Sequence, residues 1–153
     1  MTDWQKSRAW GWGGYYGRIF INRKGRENQG IVGDAEYESL RDELIKELEN
    51  QKDLSGNKLH TKVYRPEELF TELKGGPSDL MAYFDDLSFR SAATVGHKKI
   101  FLEENDTGPD DAVHDWDGVF IECDLGGKVS PAEPINNILD FKGRVLETMG
   151  IKE

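Results

Sequence analysis

Leu80-Met81-Ala82-Tyr83-Phe84 is an uninterrupted apolar run, closed by Asp79 on one side and by Asp85-Asp86 on the other. A short apolar run bounded by charge is what a central strand covered on both faces looks like. In open α/β sheets ligands gather beyond the carboxyl ends of such strands, which makes Asp85 and Asp86 candidates for ligation or substrate contact. Strand-ending Asp residues are also common turn formers, so both roles stand side by side.

Working outward, three further runs read as strands of the same sheet. Arg18-Ile19-Phe20-Ile21-Asn22 and Lys62-Val63-Tyr64 carry β-branched and aromatic residues, and Val119-Phe120-Ile121 is apolar throughout. Between the first two lies the clearest helix, near Asp34 to Asn50. Asp34 is its expected N-cap, Glu36 and Glu38 sit at its positive end, and Tyr37, Leu40, Leu44, Ile45 and Leu48 share one face. Pro66 followed by Glu67 and Glu68 opens a short helix that Gly75-Gly76-Pro77 stops. Ile135, Ile138, Leu139, Phe141, Val145, Leu146 and Met149 mark a C-terminal amphipathic helix, with Gly150 at its C′ position. The expected fold is therefore α/β, with a central sheet flanked by helices, as a single domain over residues 1–153.

The linking segments carry the polar chemistry. Asn105 to Gly118 holds five Asp and one of only three His, in a loop that Gly108, Pro109 and Gly118 keep out of regular structure. Carboxylates and an imidazole at this density suit a divalent cation such as Zn²⁺ or Mn²⁺, although polar loops between strands are often only solvated turns. Trp4 to Tyr16, with three Trp, two Tyr and three Gly, has a loop composition with large apolar anchors. Arg23-Lys24-Gly25-Arg26 is a basic turn, able to attract a phosphate or simply solvated. Leu87 to Phe101 shows no clear period, and its His97 could be a second ligand, a phosphate donor or an exposed polar residue. Asp124-Leu125-Gly126-Gly127-Lys128 is a turn.

Several of these stretches together resemble a known family. His114, four positions before Gly118-Val119-Phe120-Ile121, looks like the last metal-binding His of the alkaline phosphatase superfamily. Gly14-Tyr15-Tyr16-Gly17-Arg18-Ile19-Phe20-Ile21-Asn22, Lys24-Gly25-Arg26-Glu27, Tyr64-Arg65-Pro66-Glu67-Glu68-Leu69 and Glu104-Asn105-Asp106-Thr107-Gly108-Pro109-Asp110-Asp111 are similar to the C-terminal portion of predicted type I phosphodiesterase/nucleotide pyrophosphatase proteins. The similarity spans nearly the whole chain and implies the C-terminal part of an alkaline-phosphatase-like fold. In that family a Thr or Ser nucleophile and most ligands for two metal ions stand on a preceding segment, and only His114 has a counterpart here. The resemblance thus implies the C-terminal segment of a metal-dependent phosphohydrolase, inactive alone, with no catalytic residue of its own and with Zn or Mn bound weakly or not at all. Asp115 or Asp117 could orient His114. The aromatics of Trp4 to Tyr16 would pack on the preceding core. The implied partners are a nucleophile-bearing N-terminal polypeptide or a second copy of the chain. The other function class is a non-catalytic binding or interaction domain derived from that family.

Composition narrows the field. With 153 residues, 37% hydrophobic and 32% charged, the chain can bury one core and carries a charged surface. A net charge of −9 opposes nucleic-acid backbone or anionic membrane as main partner. No apolar run approaches a membrane span, and Met1 to Lys6 lack a signal peptide's apolar core. A lone Cys123, expected small and at least half-buried at a strand end, fits a reducing cytoplasm.

Overall fold

Leu80–Tyr83 forms the inner strand that its sequence calls for. The computed structural model describes residues 2–92, 94, 96–103, 112–123 and 134–151. Its strands are β1 (Ala9–Trp12), β2 (Gly17–Ile21), β3 (Lys62–Tyr64) and β4 (Leu80–Tyr83), in the spatial order β1-β2-β4-β3. All three pairings are antiparallel: Trp10 stands opposite Phe20, Ile19 opposite Leu80, and Val63 opposite Ala82. The fold is thus mixed α/β with a four-stranded antiparallel sheet, in which β4 lies between two partners and satisfies its backbone on both sides.

Helix α1 (Asp34–Glu49) covers one face of this sheet. Leu80 and Ala82, both fully buried, join Val63 beneath Leu44, Ile45 and Leu48, while Ile21, Val32 and Leu40 form a second cluster with Ala9 and Tyr37. The helical period of α1 therefore does what its spacing predicts. Met81 alternates to the other face, where it lines a cleft with Tyr16, Phe20, Pro66 and Phe70. Helix α2 (Pro66–Leu69) starts at Pro66 as expected, with the Arg65 N–H donating to Glu68 Oε2 at 2.6 Å, but it ends well before Gly75.

The contacts divide the chain into two compact units, Met1–Trp116 and Asp117–Glu153, and everything above belongs to the first. In the second, Asn137 Oδ1 accepts the Leu139 N–H at 2.9 Å and caps a 3₁₀ turn, Ile138–Asp140, that leads into α3 (Phe141–Thr148). Arg144 Nε donates to Glu122 Oε2 at 2.9 Å, and Phe120 meets Phe141 edge to face.

Five expectations need correction. Val119-Phe120-Ile121 is not a strand: among the described residues it has no ladder partner, and Val119 is 91% exposed. A three-residue apolar run without a paired neighbour gains nothing from an extended backbone. Cys123 beyond it is exposed, not half-buried. The C-terminal helix is shorter than Ile135 to Met149, because the Asn137 cap delays its start. The N-cap of α1 is Gly33, since Arg23 holds the Asp34 carboxylate at 3.0 Å and Glu36 accepts the Gly33 N–H in its place. Trp4 to Tyr16 is not all loop, for it contains β1. Asn105 to Asp111 of the acidic loop, and Asp124 to Lys128, lie outside the described residues.

Candidate functional site

At the carboxyl end of β4 the chain enters a tight left-handed turn. Asp85, Asp86 and Leu87 have φ of 46°, 53° and 69°, a conformation that costs an L-residue roughly 1–2 kcal/mol each. Surrounding bonds hold it. Asp85 Oδ1 accepts the His60 N–H at 2.9 Å, the Asp85 N–H donates to Thr61 Oγ1 at 3.3 Å, and Leu87 is buried. Asp86 Oδ1 accepts the indole N–H of Trp116 at 2.8 Å. Both carboxylates are thus engaged in shaping the turn, the role their residue type commonly takes after a strand.

Trp116 belongs to the described part of the acidic loop, residues 112–118, whose His114 and Trp116 rest on aromatic rings. Its indole lies 5.0 Å from Tyr83, which stacks on Tyr16 at 5.4 Å and meets Tyr64 edge-on at 5.9 Å. Beside them the imidazole of His114 lies flat on Tyr15, centroids 3.7 Å apart and planes 11° from parallel. Burial, with Tyr16 and Tyr64 nearby, pushes the Tyr83 phenol up, so it stays neutral at neutral pH. The fold therefore joins Gly14-Tyr15-Tyr16-Gly17, the end of β4 and the loop around His114 into one aromatic patch. Rings at these separations attract one another beyond the area they bury.

A stacked imidazole keeps its two nitrogens in the ring plane, free to meet a ligand at the edge. Holding a divalent cation needs more than one such donor. Among the described residues no three His, Cys, Asp or Glu side chains come together in a metal-binding group. The described residues therefore do not by themselves fit a Zn²⁺ or Mn²⁺ centre around His114, and Asp106, Asp110 and Asp111 lie outside them. His97 is exposed, its Nε2 2.7 Å from Thr94 Oγ1, and among the described residues no contact brings it to His114.

A second polar cluster, to which no role was assigned from the residue pattern, sits at the opposite end of β4. Asp79 is only 3% exposed and accepts four hydrogen bonds: from Arg26 Nη1 (2.8 Å) and Nη2 (2.7 Å), from the Ile21 N–H (2.6 Å), and from Tyr37 Oη (2.5 Å). Burial pushes this carboxyl up, but the Arg26 guanidinium, the Ile21 amide and the Tyr37 hydroxyl outweigh it and hold it below the usual range. Burial and the same carboxylate push Tyr37 up to about 12. Strongly shifted groups often mark active sites, yet here every Asp79 oxygen is bonded within the fold and Arg26 also donates to Ile21 O at 2.6 Å. The cluster ties β2, the basic turn, α1 and β4 together. In the basic turn Arg26 pairs with Asp79 and Arg23 with Asp34, while Lys24 and Gly25 are exposed, as in a solvated turn. A sequence signal did exist, in an Asp directly before a fully buried run, since a carboxylate there must find a cation.

Compared with protein-family models, curated proteins and solved structures, the chain gives no match.

Proposed function

We propose that this chain is the C-terminal segment of a cytoplasmic, metal-dependent phosphohydrolase of the phosphodiesterase/nucleotide pyrophosphatase kind, inactive by itself, with the C-terminal part of an alkaline-phosphatase-like fold. His114 serves as one ligand of a centre whose other ligands, and whose Thr or Ser nucleophile, stand on a preceding polypeptide. One observation carries this reading: two stretches that resemble the family independently, around Tyr15 and around His114, meet ring on ring at 3.7 Å. A ring seated on a neighbour in this way is held in orientation before any ligand arrives, which is what a contributed ligand needs.

Reconstitution tests it. A type I phosphodiesterase lacking its own C-terminal segment is mixed with this chain, and hydrolysis of bis-nitrophenyl phosphate is followed with Zn²⁺ or Mn²⁺ present. The expected result is background turnover for each part alone, turnover for the mixture, and its loss with His114→Ala. No gain on mixing, or turnover by this chain alone that survives His114→Ala, overturns the proposal. In the first case the second reading, a non-catalytic interaction domain, gains support from the exposed rings of Trp116 and Tyr15.

A further inference from the structure

Among the described residues nothing pairs with the outer edge of β1, and that edge is self-complementary. Antiparallel pairing with β2 uses alternate residues, and the Asn22 N–H donating to Arg8 O at 2.8 Å fixes which ones: Arg8, Trp10 and Trp12 bond inward. Ala9 and Gly11 therefore turn their N–H and C=O groups away from the sheet, where no described residue takes them. Natural edge strands are usually blunted by charge, Pro or a bulge. Ala9-Trp10-Gly11-Trp12 has none of these, and Trp12 is 60% exposed.

From this edge we infer that two copies of the chain pair β1 against β1, antiparallel about a two-fold axis at Trp10, forming one eight-stranded sheet. Three registers could use the free groups. Centring on Ala9 would bring Gly11 opposite Ser7, whose N–H already donates to Asp3 O and whose C=O already accepts from Asn22 Nδ2. Centring on Gly11 would need Gly13, which is buried. Centring on Trp10 sets Ala9 opposite Gly11 of the second copy twice over, and so makes four N–H···O bonds from groups that no other described residue takes. It also places the two Trp10 side chains opposite each other in the close, non-hydrogen-bonded position, and Trp12 opposite Arg8, a cation beside an indole. The inference is independent of the phosphohydrolase reading, since it uses only the sheet edge.

Sedimentation velocity on the full chain over a concentration series, with amide exchange read residue by residue, tests it. The expected result is a reversible dimer in which the Ala9 and Gly11 amides gain protection as concentration rises, while those of Trp10 and Trp12 are protected throughout. Because each copy carries −9, added salt should strengthen the dimer. Gly11→Pro leaves every β1–β2 bond in place, and a Cβ there meets nothing within 4 Å. It removes one outward donor per copy and should weaken the dimer by about tenfold or more, with the far-ultraviolet spectrum unchanged. A chain that stays monomeric at every concentration, a dimer indifferent to Gly11→Pro or weakened by salt, or no concentration-dependent protection at Ala9 and Gly11 would each overturn it.

Discussion

Asp79 shows how much one carboxylate can organise. Removing a single partner from a buried ion pair strands a charge and typically costs about 3–5 kcal/mol, so Asp79→Asn should lower the unfolding free energy by that order at neutral pH in urea titrations. The pH dependence follows from the two shifts. The Asp79 carboxyl is depressed in the folded state, so its stabilisation is present above the unfolded value of about 4 and is lost as pH falls through the lower folded one. Tyr37 is shifted the other way: its contribution is full below pH 10.0 and is lost as pH rises toward about 12. Melting temperatures across pH should therefore show an acid slope that Asp79→Asn flattens and an alkaline slope that Tyr37→Phe flattens. Equal slopes in wild type and both variants would mean that this cluster does not hold the fold. Only the need for a partner was legible in sequence, in an Asp directly before a buried run; which partners meet it was not, because Arg26, Tyr37 and Asp79 come together only after the sheet is assembled.

The elements themselves were legible where a period or a composition points to one solution. The spacing of Leu40, Leu44 and Leu48 fits a helix with one apolar face, and the shortness of the Leu80 to Tyr83 run and the charges that bound it favour a covered strand over a helix. What failed were short segments whose state depends on a neighbour. Ala9–Trp12 becomes a strand because β2 offers it a ladder, and Val119-Phe120-Ile121 does not because the described residues offer it none. Two substitutions check the packing. Leu80→Ala opens a cavity beneath α1 and should cost about 2–5 kcal/mol. Gly30 is more constrained than its loop position suggests: an added Cβ would lie 2.1 Å from the Arg23 carbonyl oxygen and 2.7 Å from the Lys24 nitrogen. Backbone atoms cannot swing aside as a side chain can, so Gly30→Ala should destabilise markedly, whereas Gly76→Ala, with nothing within 4 Å, should be close to neutral. Similar melting temperatures for these two glycine variants would contradict the close approach at Gly30.

On the scale of the molecule, the pieces of the candidate site were legible in the sequence but their meeting was not. His114, Asp85 and Asp86 stood out by residue type, but that His114 rests on Tyr15 and Asp86 binds Trp116 follows from which loops the sheet brings together. All of those contacts lie in the unit Met1–Trp116, as do all four strands, α1, α2 and both apolar clusters. In the unit Asp117–Glu153 no described residue is buried, and Ile121, Ile138 and Leu139 are exposed. Burial of apolar area, at about 25 cal/mol per Å², supplies most of the drive to fold, so stability should reside in the first unit. A chain ending at Trp116 should then fold cooperatively, with an unfolding free energy within about 1 kcal/mol of the full chain and a nearly unchanged denaturant slope, since that slope follows the surface exposed on unfolding. Residues 117–153 alone should show no cooperative transition, because a chain of fewer than about 40 residues without disulfide or metal rarely buries enough surface to fold. A truncated chain that is unfolded, or whose slope falls in proportion to its length, would place part of the core in the second unit and sink this division of the fold.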